Sequence, residues 1–154
     1  MSALLSELRN SYPSINFKNS KLFMWSPTEN TVYYSKTALS APKGAWSLFH
    51  ELGHATLKHL DFKTDIDLLK LEVGAWTQAK LIANRFKIAI DENHIQNCLD
   101  SYRDWLAVRS TCPACDTINP RKDGFSYRCF NCNCRWEVSS SQLCKKKVKQ
   151  TSVY

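Results

Sequence analysis

The sequence predicts an α+β chain in which a small N-terminal sheet packs on helices and a short cysteine-rich module follows. Three observations carry this. Strand-like runs of β-branched and aromatic residues fall at 21–25 and 31–35, apolar residues at helical spacing extend over 45–108, and two Cys-x-x-Cys pairs begin at Cys112.

A chain of 154 residues with 44% hydrophobic content can bury a substantial core. The composition divides it into a main domain over 1–110, a cysteine module over 111–144 and a basic tail over 145–154. No apolar run reaches transmembrane length and no charged-then-apolar leader is present, so a soluble, cytoplasmic protein without membrane contact is expected. The seven cysteines are an odd number. Their close pairing favours metal coordination in a reducing compartment over a disulfide framework. The net charge of +7 is concentrated late: from Cys112 onward eight Lys/Arg face three acids.

Taken in order, Leu4, Leu5 and Leu8 mark a brief amphipathic start, and the polar run containing Pro13, Asn16 and Asn19 reads as loop. Residues 21–25 and 31–35 form a β-hairpin around Ser26-Pro27-Thr28-Glu29-Asn30. The edge of such a hairpin can take an extended peptide as an added strand. Tyr33 and Tyr34 on its second strand are candidate oxyanion or substrate contacts, or ordinary sheet residues. A loop at 40–44, with Ser40 or Pro42 near the helix start, leads into a helix over 45–60.

That helix carries His50-Glu51-Leu52-Gly53-His54. His50 and His54 are i and i+4, so they leave one face together and can reach a single Zn²⁺ at ~2.0 Å each. Glu51 lies beside that face, suited to deprotonating an activated water. Trp46, Leu48, Phe49 and Leu52 make the helix apolar enough to bury, where unpartnered histidines would be costly. Gly53 costs ~1 kcal/mol of helix propensity, understandable if another segment or a substrate passes close to it.

A second helix over 66–88 follows from the spacing of Leu68, Leu71, Ala75, Trp76, Ala79, Ile82 and Phe86. Glu72 on it can complete a site of two histidines and a carboxylate, leaving a fourth position for water. Competing third ligands are His59, His94, Asp61, Asp65 and Asp67; His59 lies on the wrong side of the first helix unless that helix breaks. A third helix spans 92–108, with His94 and Cys98 read as structural residues.

In the module, Cys112-Pro-Ala-Cys115 and Cys129-Phe-Asn-Cys132 predict a four-cysteine structural zinc ribbon, with strands near 125–128 and 135–138 and Trp136 covering its core. Cys134 is a spare thiol that in principle replaces Cys129 or Cys132. Lys145, Lys146, Lys147 and Lys149 read either as a solvated arm or as contacts for nucleic-acid phosphates.

His50-Glu51-Leu52-Gly53-His54 followed by Glu72-Val73-Gly74-Ala75 resembles the ImmA/IrrE family of zincin-like metallopeptidases over roughly residues 33–89. The resemblance implies a minimal zincin-like domain with His50, His54 and Glu72 as ligands and Glu51 as catalytic base. With the ribbon it implies two zinc ions, one catalytic and one structural. It also implies a protein substrate, commonly a transcriptional regulator or other DNA-associated protein. The spacing from His54 to Glu72 is short for that family, and no helix-turn-helix precedes the catalytic part. The C-terminal ribbon is similar to that of SprT-like proteases, whose third ligand is a downstream histidine, a role for which His94 is the distant candidate. The rival expectation is a non-catalytic adaptor that binds nucleic acid or protein.

Overall fold

The computed structural model describes residues 2–119, 126–139 and 146–149. It is α+β, and its chain divides into two compact units, Met1–Asp61 with Leu71–Ile95, and Phe62–Lys70 with Gln96–Tyr154. The boundary expected after residue 110 falls inside the second unit. Among the described residues no helix is long and apolar enough to cross a membrane.

In the first unit, α1 (Ser2–Ser11) buries Leu8, and Arg9 donates from it to the Phe17 carbonyl at 3.3 Å. Strands β1 (Asn16–Asn19), β2 (Met24–Ser26) and β3 (Thr31–Tyr34) form a sheet in the order β1-β3-β2. The expected hairpin is β2–β3, antiparallel, with Trp25 opposite Val32. β1 corrects the sequence reading: the polar stretch taken as loop pairs parallel with β3, Phe17 opposite Val32. Its residues are largely exposed and only Phe17 is apolar, so an edge strand held by a distant partner left no alternation to detect.

A 3₁₀ turn (Ala38–Ser40) precedes α2 (Pro42–Thr56), which starts with Pro42 in the first turn and buries Leu48, Phe49, Leu52 and Ala55. α2 stops four residues earlier than the apolar run suggests. Lys58 adopts φ 53°, and two hydrogen bonds, His59 N–H to the His54 carbonyl (3.0 Å) and Lys58 N–H to the Ala55 carbonyl (3.1 Å), close a Schellman motif. The chain therefore turns back over the end of its own helix.

α3 (Asp65–Arg85) is capped reciprocally: Thr64 Oγ1 accepts from Asp67 N–H and Asp67 Oδ2 from Thr64 N–H, each at 3.1 Å. In the first unit it buries Ala75, Trp76, Ala79, Ile82 and Ala83 at helical spacing. α4 (Glu92–Ser110) matches the third expected helix within two residues.

The second unit holds the antiparallel sheet β4 (Ser126–Arg128), β5 (Arg135–Val138) and β6 (Lys146–Lys149), in that order. β4 and β5 fall where the sequence places them; Phe125, at the expected start of the first strand, lies outside the described residues. β6 replaces part of the expected basic arm: 146–149 pair with β5, and Lys146 Nζ donates to the Thr111 carbonyl at 2.6 Å. Lys145 lies outside the described residues. The core of this unit is Cys112, Tyr127, Cys129, Trp136 and Val138, with Trp136 fully buried, stacked on Tyr127 at 5.2 Å and donating to the Arg109 carbonyl at 3.0 Å.

Candidate metal centres

The first centre is built by α2 and α3. His50 Nε2 and His54 Nε2 lie 3.2 Å apart, and Glu72 reaches both, Oε2 at 3.2 Å from His50 and Oε1 at 3.6 Å from His54. The three residues form a group able to hold a metal ion, with His50 and Glu72 buried. The donor chemistry fits zinc: imidazole nitrogens and one carboxylate converge, and the buried Glu72 Oε2 has no hydrogen bond of proper geometry despite its proximity to His50. Burial works against the Glu72 carboxylate, but the His50 and His54 imidazoles beside it outweigh burial and bring its pKa down to about 2. It is an anion ready to ligate.

Gly53 makes this approach possible. A Cβ there would stand 2.3 Å from the Ala75 carbonyl oxygen, so α3 backbone occupies the space a side chain would need. The segment expected to pass close to Gly53 is thus the helix that carries Glu72.

Glu51 faces the sheet. Its Oε2 accepts from Trp25 N–H of the edge strand β2 at 2.8 Å. Burial raises its pKa, opposed by the charges of His50 and His54 and by the Trp25 hydrogen bond. The Trp25 indole donates to the His59 carbonyl at 2.9 Å, tying β2 to the turn after α2.

His59 is brought to the site by the helix break. Its Nδ1 lies 2.9 Å from His54 Nδ1, on the side of the ring away from Glu72. It is therefore a partner of a candidate ligand and not part of the ligand group. Asp65, Asp67 and His94 are also outside that group. Asp65 accepts from the Tyr127 hydroxyl at 3.0 Å in the second unit, and Asp67 caps α3. His94 packs against Trp46 and Trp76, with ring centroids at 5.0 and 5.6 Å. Trp76 in turn stacks on His50 at 4.2 Å.

Tyr33 donates to Glu29, and the Tyr34 hydroxyl accepts from Arg9 at 3.5 Å. Among the described residues neither hydroxyl is hydrogen-bonded to the histidine–glutamate group. The residue that sequence reasoning missed is Trp25, whose role is played by its backbone amide, a group no motif specifies.

The second centre gathers Cys112, Cys115, Cys129 and Cys132. Cys112 and Cys132 sulfurs are 3.6 Å apart and Cys115 and Cys129 sulfurs 3.5 Å, close to the ~3.8 Å edge of a tetrahedron with Zn–S of ~2.3 Å. The two knuckles repeat each other. Asp116 (φ 56°) and Asn133 (φ 62°) take the left-handed conformation after each second cysteine, each donating its N–H to the carbonyl of the first, both at 3.0 Å. The first cysteine's N–H then donates to the Thr117 carbonyl in one knuckle (2.9 Å) and the Cys134 carbonyl in the other (2.8 Å). Cys134 thus occupies the place of Thr117 and is not in the ligand group. Thr117 hydrogen-bonds Cys115 at 3.3 Å, the largest of the influences that lower that thiol's pKa to about 6, a thiolate donor at neutral pH.

Compared with known proteins, this chain matches no family model, no curated protein and no solved structure.

Proposed function

We propose that the chain is a zinc-dependent metallopeptidase with a zincin-like arrangement resembling the ImmA/IrrE family, and that a second, structural zinc holds the ribbon. The observation that carries this reading is the convergence of His50, His54 and Glu72, with Glu51 alongside and anchored to an edge strand. When bound there, zinc supplies Lewis-acid chemistry, polarising a carbonyl and acidifying a water. Glu51 supplies the proton path. Trp25 N–H holds one of its oxygens, leaving the other to accept a proton from the attacking water and return it to the leaving amine. Its raised pKa makes it a stronger base than an exposed carboxylate. β2 is an edge of the sheet, and in this reading an extended substrate peptide runs alongside it, next to the Trp25–Glu51 contact. A transcriptional regulator or another DNA-associated protein is the substrate class the resemblance favours.

The test begins with metal content. Two zinc ions per chain are expected, falling to one in Glu72→Ala; a variant that keeps both would exclude Glu72 as a ligand. The zinc-loaded chain, given a library of unstructured peptides, should generate new amine termini detectable by mass spectrometry, and failure to do so with both zincs present rejects the peptidase reading. His59→Ala should weaken the first zinc ~10–100-fold, because the neighbour that orients the His54 ring is lost. Competition with a zinc chelator dye would report it, and unchanged affinity would reduce His59 to packing. A non-catalytic nucleic-acid- or protein-binding adaptor is a second reading, favoured by the cations on the ribbon sheet; its binding role, without the loss of catalysis, is compatible with the first.

A further inference from the structure

We propose, resting on the nucleic-acid-binding reading of the ribbon and independently of the peptidase reading, that the outer face of the β4–β5–β6 sheet is a binding site for single-stranded nucleic acid, with phosphates on a row of cations and an unpaired base on Phe130. The strand register carries the argument. Arg128 is opposite Arg135, and Arg135 is opposite Lys149. Residues in direct register share a face, so these three cations form one row across three strands spaced ~4.8 Å apart. Like charges directly opposite each other repel and weaken a sheet. A polyanion lying across the row removes that repulsion.

The neighbouring row on this face is Ser126, Glu137 and Lys147. Glu137, its one acid, is paired with Lys149 at 2.5 Å, and Arg128 donates to the Asn133 side chain at 3.1 Å. Arg135 has no acidic partner among the described residues. The opposite face carries Tyr127, Trp136 and Val138 into the core, so Arg128, Arg135 and Lys149 lie on the other side of the sheet. The face is exposed at Arg128, Arg135, Lys147 and Lys149.

Phe130 distinguishes the partner. It sits in the Cys129–Cys132 knuckle, at the end of the sheet where the cation row lies, and is 74% exposed. A large ring left this exposed at the tip of a metal knuckle contributes little to burial. Exposed at the same end of the sheet as the cation row, it offers a base a stacking platform, and duplex bases are not free to stack on it.

The test uses the full zinc-loaded chain and fluorescence anisotropy with labelled oligothymidylate, oligouridylate and a duplex of equal length, over a salt series. Tighter binding of the single strands than of the duplex is expected, and the two single-stranded arms distinguish DNA from RNA. Arg135→Gln should reduce the slope of log K against log salt by about 1. Phe130→Ala should weaken single-strand binding roughly 5–150-fold with the salt slope unchanged, and Phe130→Trp should retain it. Lys36→Gln, an exposed cation of the first unit, should change nothing. Zinc content identifies any variant that has lost the ribbon, and the tryptophan variant then decides the role of the ring. The proposal is overturned if duplex binds as well as single strands, or if Phe130→Ala leaves affinity unchanged. It is equally overturned if anionic vesicles or polyglutamate compete equally well.

Discussion

Glu51→Gln should leave both zinc ions in place and lower peptide hydrolysis by at least ~10²–10⁴-fold, the range of a positioned general base. The substitution preserves size, and the glutamine carbonyl oxygen can still accept from Trp25 N–H, so β2 stays anchored to α2. What disappears is the basic oxygen on the other side of the carboxylate. The variant therefore separates proton transfer from metal binding, since His50, His54 and Glu72 are untouched. Zinc analysis alongside a mass-spectrometric cleavage assay gives both readouts. Cleavage at the unsubstituted rate would remove Glu51 from the mechanism, and loss of one zinc would mean that Glu51 holds the metal site together.

The candidate site was readable where side-chain spacing alone decides geometry. Residues i and i+4 share a helix face in any protein, so the His50/His54 pairing needed only that α2 be a helix. Cys-x-x-Cys likewise places both sulfurs on one side of a tight turn. Glu72 required a helix partner, and its apolar neighbours made that helix legible.

The illegible parts depend on backbone geometry or on distant pairing. His59 is expected on the far side of α2 unless that helix breaks, because the apolar run continues to Leu60; the left-handed Lys58, which a glycine would have announced, supplies the break four residues sooner. Asp116 and Asn133 do carry a signal, since both residue types tolerate that conformation and both follow a Cys-x-x-Cys pair. β6 was hidden by charge: a lysine run reads as solvated, yet Val148 alternates within it and Trp136 lies opposite.

Gly53→Ala and Gly74→Ala should have opposite effects, although both glycines are in helices of the same unit. At Gly53 the added methyl would meet the Ala75 carbonyl oxygen at 2.3 Å, with the carbonyl carbon at 3.1 Å. Backbone cannot rotate aside as a side-chain tip would, so α2 and α3 must separate. The cost is expected at the upper end of overpacking, about 3 kcal/mol. At Gly74 a Cβ would find His59 and Leu57 at 3.6 and 3.7 Å, ordinary contact distances. There alanine gains helix propensity, and stability should rise by ~0.5–1 kcal/mol. The contrast extends to the metal. Gly53 adjoins His54 and packs on Ala75, which is one turn from Glu72, so moving the helices apart moves the carboxylate away from both imidazoles. Gly53→Ala should therefore weaken the first zinc as well as the fold, with the cysteine-bound zinc unaffected. Urea midpoints and zinc competition on the two variants measure both consequences. A Gly53→Ala protein as stable and as zinc-replete as the parent would show that α3 does not need this close approach to deliver Glu72.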